Sequence, residues 1–187
     1  MSRLSFLALP LTVATGAIVL AGCASAPVVS NDRIAVAGAV IVSPSGAQLG
    51  TAEIWQDANS VVHVEAQLRD LPPGAHGIHF HASGLCEGAG STPFASAGEH
   101  FNPLGRQHGL DNPAGPHGGD APNFTIGADR LGRVSFTTDR VSITPGSTTL
   151  FDGDGTALVI HANPDDQISQ PSGNSGGRIA CGVVRRP

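Results

Sequence analysis

The sequence predicts an all-β domain, an antiparallel sandwich or barrel of about eight short strands. Three observations predict it. Turn formers dominate, with 25 glycines and 14 prolines among 187 residues. No segment beyond residue 32 carries a helical period. Short apolar runs recur instead, many of them separated by recognisable turn chemistry. At 40% hydrophobic and 13% charged residues the chain is too apolar and too weakly charged to be disordered. Aromatic residues make up only 4%, so the core must be built mainly from Val, Ile, Leu and Ala. The net charge is -5 and every basic side chain is an arginine. That balance argues against an electrostatic nucleic-acid binder, which needs a basic face to neutralise phosphates.

Runs at 33–42 and 49–56 come first, and Asp57-Ala58-Asn59 turns the chain into the next. Residues 60–68 alternate strictly, with Val62, Val64, Ala66 and Leu68 on one face and His63, Glu65 and Gln67 on the other. A half-buried strand has that period of two. The turn Asp70-Leu71-Pro72-Pro73-Gly74 leads to a run at 76–81, and further runs lie at 123–127 and 132–138, about the turn Asp129-Arg130-Leu131-Gly132. Pro145-Gly146 and Asp152-Gly153-Asp154-Gly155 precede runs at 156–161 and 179–184. Two stretches, 82–122 and 162–178, lack strand patterning and are rich in Gly, Pro, Asn and Ser. Loops of that length in a compact domain are usually functional or disordered, and the histidines beside them favour function.

The N-terminus reads as an address. Arg3 precedes an uncharged, apolar-leaning stretch, residues 4–21, that ends in Leu20-Ala21-Gly22-Cys23 and resembles the lipobox of bacterial lipoproteins. That resemblance implies a signal peptide over 1–22, acylation of Cys23 and a tether over 23–32, ahead of a domain at 33–187. It further implies export, attachment to a membrane through the lipid, and a place on the periplasmic or extracytoplasmic face. Cysteine arithmetic agrees: with Cys23 lipidated, Cys86 and Cys181 remain as an even pair for an oxidising compartment.

The histidines carry the chemistry. His79-Phe80-His81 lies in a strand-like run, where period two puts both imidazoles on one face. His100, His108, His117 and Asp120 follow in a loop of small residues, a set of three imidazoles and a carboxylate suited to zinc. His161 ends the apolar run Ala157-Leu158-Val159-Ile160.

At these residues the chain resembles the copper/zinc superoxide dismutase family. The matching pieces are Gly77-Ile78-His79-Phe80-His81, Gly98-Glu99-His100-Phe101-Asn102-Pro103, Gly105-Arg106-Gln107-His108-Gly109, Pro116-His117-Gly118-Gly119-Asp120, Val159-Ile160-His161 and Gly176-Gly177-Arg178-Ile179-Ala180-Cys181-Gly182-Val183. They run from about residue 76 to 184, and the strand pattern extends the likeness back to about 33.

The resemblance implies an eight-stranded Greek-key barrel with two long functional loops. It implies one copper per chain on His79, His81, His100 and His161, and one zinc on His100, His108, His117 and Asp120. His100 bridges, because imidazole has two nitrogens. Asp165 is then the carboxylate that orients a copper-side and a zinc-side histidine. Arg178 is the arginine that attracts superoxide, and Cys86 pairs with Cys181. The implied reaction is disproportionation of superoxide, here at the cell envelope, with Arg178 and His100 as its catalytic residues. A dismutase-fold metal-binding lipoprotein with little turnover is the alternative.

A cupin-type site would want a glutamate four or five residues after the histidine pair. Glu87 lies six beyond His81, and the cluster from His100 to Asp120 would go unexplained. His76 has the wrong parity to join His79 and His81, and a histidine there braces backbone in the resembled family. His63 reads as a surface residue, and Trp55 as packing or part of a patch. Family members occur as dimers and as monomers, so both remain open here. Without lysine, attraction of an anionic substrate is expected to rest on the metal charge and Arg178, with Arg106 as an auxiliary.

Overall fold

A computed structural model describes Met1 and residues 32–187. Apart from Met1 and Asp32, the segments expected as signal peptide and tether, Cys23 included, lie outside the described residues. From Asp32 onward the chain forms one compact unit. Its strands are β1 (Arg33–Val42), β2 (Gln48–Asp57), β3 (Val62–Arg69), β4 (Gly74–His76), β5 (Ile78–His81), β6 (Phe124–Ile126), β7 (Leu131–Thr138), β8 (Ala157–His161) and β9 (Arg178–Val183). The only helix among the described residues is a 3-10 turn at Ala95–Ala97. None there is long and apolar enough to cross a membrane.

All nine strands join one sheet in the order β4-β6-β7-β3-β2-β1-β9-β8-β5, and every pairing is antiparallel. β4 and β5 stand at opposite ends of that order, yet only Gly77 separates them in the chain. The sheet therefore curls until its two outer strands meet, and the result is a nearly closed barrel. Sequence alternation reads 76–81 as a single run, which accounts for eight strands against nine. The backbone splits it because β4 pairs with β6 while β5 pairs with β8. At the joint, Gly77 N–H donates to Asn163 O and Gly77 O accepts from His161 N–H, both at 2.9 Å.

The core follows the period of two. β1 turns Ala37, Ala39 and Ile41 inward, and β3 turns in Val62, Val64, Ala66 and Leu68. On β5 Ile78 and Phe80 enter the barrel core, which leaves His79 and His81 for the opposite face. Burial covers that second face too, so all four residues of β5 are buried. β8 is likewise buried on both faces, with Leu158 and Ile160 in the barrel. Its Ala157 and Val159 pack with Phe94, Ala97 and Cys181 in a smaller cluster. Both strands are thus clamped between the barrel and the long loops.

Candidate metal centre

The first loop reaches the histidine face by pairing with the outer edge of β5. Phe101 N–H donates to Phe80 O (2.8 Å), Phe80 N–H to Gly119 O (2.9 Å) and Gly119 N–H to Phe101 O (2.8 Å). A Cβ on Gly119 would lie 2.2 Å from Phe80 O, so only glycine permits this approach. Residues 100–120 are thereby laid against His79 and His81. His161 arrives from the other side, at the end of β8.

Two groups of ligand atoms result, each lying within 4.8 Å of one another: His79, His81, His100 and His161, and His100, His108, His117 and Asp120. All seven residues are buried. They are the seven the sequence singles out.

Hydrogen-bond partners decide which nitrogen of each ring is free. A carbonyl can only accept, so His81 Nδ1, 2.8 Å from Gly98 O, carries the hydrogen and its Nε2 keeps a lone pair. His161 Nδ1 lies 3.2 Å from Gly176 O and 3.1 Å from Ser175 Oγ, so its Nε2 is free as well. The two Nε2 atoms face each other at 3.3 Å. His79 Nε2 donates to Asp165 Oδ2 at 2.7 Å, which bares Nδ1. His79 Nδ1 and His100 Nε2 are buried without a hydrogen-bond partner.

In the second group Asp120 Oδ1 is the focus. It lies 2.8 Å from His100 Nδ1, 3.0 Å from His108 Nδ1 and 3.3 Å from His117 Nδ1, the last without hydrogen-bond geometry. Asp120 Oδ2 accepts from Gly109 N–H (2.8 Å) and His117 N–H (2.9 Å), which aims the carboxylate.

Buried polar atoms are rarely left unpaired, because each costs about 1–3 kcal/mol of lost hydration. Three such atoms here, His79 Nδ1, His100 Nε2 and His117 Nδ1, are ring nitrogens turned towards other ligand atoms, and the bonds donated by the second nitrogens of His79 and His100 leave those two unprotonated. Cations would satisfy them. An all-imidazole set suits a redox-cycling copper, and three imidazoles with a carboxylate suit zinc. His100 offers one nitrogen to each set.

Electrostatics divides the two halves. Burial, and then the neighbouring rings, push His81 well below the ordinary 6.5 and bring His100 to about 4 and His161 to about 3, so these rings stay neutral near pH 7. Burial also opposes charge on His108, but Asp120 and Asp165 override it and raise the ring to about 9. Burial favours the neutral forms of Asp120 and Asp165. Donated hydrogen bonds from the histidines outweigh it and hold both well below the carboxylate range.

Asp165 joins the halves. Its Oδ2 accepts from His79 and its Oδ1 from His108 Nε2 at 3.0 Å. Asn123 grips the Asp165 backbone from both sides, accepting from N–H and donating to O at 2.8 Å each. Asn123 escapes sequence reading, which takes it as the first residue of the run 123–127, whereas the strand begins at Phe124.

Arg178 opens β9 and donates to Phe94 O and Gly98 O, both at 2.6 Å. Gly98 O also holds His81, so one carbonyl registers the guanidinium against the imidazole cluster. Cys86 and Cys181 are bonded, with Cα atoms 5.7 Å apart. The residues set aside also have places. His76 joins His161 O to Pro72 O, at 2.8 Å each. His63 stacks on Trp55 (5.0 Å between centroids), and Arg33 lies over the same tryptophan.

Comparison with known proteins agrees with this geometry. The sequence model of copper/zinc superoxide dismutase (SODC) matches residues 48–184. The chain is 43% identical over 151 residues to superoxide dismutase [Cu-Zn] 2 of Aquifex aeolicus, covering 80% of this chain and 86% of that protein. It is 37% identical over 152 residues to superoxide dismutase [Cu-Zn] of Caulobacter vibrioides, covering 80% and 85%. Among solved structures, a double mutant of a SOD-like protein from Bacillus subtilis superposes with a TM-score of 0.73. It is 38% identical, and the match covers 78% of this chain and 95% of that one. Family and histidine groups together support copper and zinc as the metals. The chain belongs to the copper/zinc superoxide dismutase family.

Proposed function

We propose that this chain disproportionates superoxide, converting two superoxide anions and two protons into oxygen and hydrogen peroxide. His79, His81, His100 and His161 would hold copper, and His100, His108, His117 and Asp120 would hold zinc. The observation that carries the reading is the convergence of four imidazole lone pairs beside an arginine fixed to the same backbone carbonyl as His81. Copper there would supply one-electron chemistry, and zinc would supply a redox-inert positive charge beside it.

The chain's own groups do the rest. His81, His161 and His79 have their second nitrogens committed to Gly98, Gly176 and Asp165, so each presents its free nitrogen without reorganisation. His100 can hold a proton at Nε2 while Nδ1 stays with the Asp120 side, and pass it to the leaving peroxide. Arg178 attracts and orients the anion. The testing experiment loads purified protein with copper and zinc and measures superoxide consumption. A metal-replete sample without activity sinks the reading.

The same assay tests steering. With no lysine in the chain, Arg178→Gln removes most of the salt dependence of the rate. An unchanged salt slope places the steering elsewhere, with exposed Arg106 the next candidate.

A second reading is a dismutase-fold metal binder with little turnover. It is favoured by the 38% identity to a protein of Bacillus subtilis named superoxide dismutase-like. The solved double mutant of such a protein carries histidines in place of a tyrosine and a proline. This chain has histidine or aspartate at all seven of its ligand positions, and metal-replete activity separates the two readings.

The work is done at the cell envelope. Residues 1–22 are removed, Cys23 is acylated, and the lipid holds the enzyme on the extracytoplasmic face. The lipobox and a disulfide suited to an oxidising compartment support this. Mass spectrometry of detergent-extracted protein is expected to find the mature chain beginning at a lipid-modified Cys23. An unmodified Cys23 refutes it.

A further inference from the structure

The second loop, 162–177, bears no lysine or arginine, and its acids are Asp165 and Asp166. Asp166 turns back on its own loop, accepting from Ile168 and Ser169 N–H and from Asn174 Nδ2. The loop's attachment to the first loop, apart from the Asp165 bridge, is made by neutral amide groups. Gln170 makes two of these bonds: its Oε1 accepts from His108 N–H at 2.9 Å and its Nε2 donates to His108 O at 3.0 Å. One carboxamide thus pairs with both backbone polar groups of a single residue, as a neighbouring strand would. Gln167 does similar work around it, accepting from Leu110 N–H and donating to Ala121 O, both at 3.2 Å.

His108 is the residue for which this grip matters. Its ring lies between Asp120 Oδ1 and Asp165 Oδ1, 3.0 Å from each. A ring held at both nitrogens tolerates little movement of its backbone. Nothing else in the second loop hydrogen-bonds the His108 backbone among the described residues. Gln170 itself is exposed, so its side chain contributes nothing to the core.

We propose that Gln170 is a positioning residue for the zinc site: by pairing with the His108 backbone it holds the second loop shut over that ligand and sets how fast zinc leaves. This rests on the reading that His100, His108, His117 and Asp120 hold zinc. Because the clamp is uncharged, its contribution does not depend on ionic strength.

The test follows zinc release from full-length, copper- and zinc-loaded protein into a chromogenic chelator. Cobalt spectra of zinc-free protein report the geometry of the same site. Gln170→Ala releases zinc about five- to tenfold faster, the effect of losing two ordinary hydrogen bonds that compete with water. Gln170→Glu keeps the acceptor arm and loses the donor arm, so its rate falls between wild type and alanine. Copper release and the melting of metal-free protein stay at wild-type values, and the ratio of zinc-release rates is the same in low and high salt. A merely structural role would lower metal-free melting and speed copper release along with zinc release. If Gln170→Ala releases zinc at the wild-type rate, the clamp is refuted while the zinc reading stands. A wild-type chain that gives no tetrahedral cobalt spectrum overturns both.

Discussion

Gly173→Ala lowers superoxide consumption about 10- to 100-fold, the usual penalty for disturbing the groups that orient metal ligands. The alanine Cβ would sit 1.7 Å from Asp165 Oδ1 and 2.7 Å from His108 Nε2, so the carboxylate cannot keep its place. Once displaced it gives up His79 or His108, and in either case it stops coordinating one half of the site with the other. A second cost adds to this, because Gly173 has φ +63, a conformation that disfavours any side chain by about 1–2 kcal/mol. Activity of the metal-loaded variant, together with its zinc content after brief chelator exposure, checks the result. Wild-type values for both would show that the crowding is relieved by a loop shift that leaves Asp165 in place.

The largest loss of stability is expected from Cys86→Ala/Cys181→Ala. The bond spans 95 residues of sequence, and the chain-entropy model assigns a closure of that length about 4–5 kcal/mol. For a domain of this size that corresponds to a melting temperature lower by about 10–15 °C. The damage also reaches the site. Cys181 packs with Phe94 and Ala97, and Phe94 O and Gly98 O are the carbonyls that hold Arg178. Freed from the bridge, the segment carrying those carbonyls loses its covalent tie to β9 and keeps only packing and the Arg178 bonds, so activity falls alongside stability. Calorimetry of the double variant decides the first point. A shift of less than about 3 °C would mean that the packing of Phe94 and Ala97 retains the segment without the bond.

How much of this was legible in the sequence depends on the kind of interaction. Strand alternation is read directly from side chains, and Val62, Val64, Ala66 and Leu68 are buried as their period requires. The residues expected as ligands are legible through the family resemblance of the motifs that carry them, since a His-x-His pair or a histidine at a strand end is a weak signal by itself. Gly77 shows the limit for backbone: alternation continues through it, while the hydrogen-bonding partner changes from β6 to β8. Which strand a residue pairs with is a property of the closed sheet and leaves no mark on local polarity. Asn123, Gln167, Gln170 and Gly173 show the limit for loops. A carboxamide that grips a distant backbone and one that faces water are the same residue in the same kind of Gly, Pro and Ser surroundings. Gly173 resembles any turn glycine until Asp165 is placed beside it.

The pairing of the first loop with Phe80 has a consequence for solubility. β5 is the last strand of the sheet, and the backbone groups of Phe80 on its outer side are taken up by Phe101 and Gly119, while Glu99 O accepts from Ala82 N–H just beyond its end. An unpaired strand edge is a template on which a second molecule can add. Here the template is masked by the stretch that carries His100, His117 and Asp120, so the ligand loop also serves as the cover of a sticky margin. Whatever loosens that loop bares Phe80 N–H and O to a neighbouring chain. Self-association of the metal-free protein would then begin at β5, in competition with refolding of the loop over its own strand.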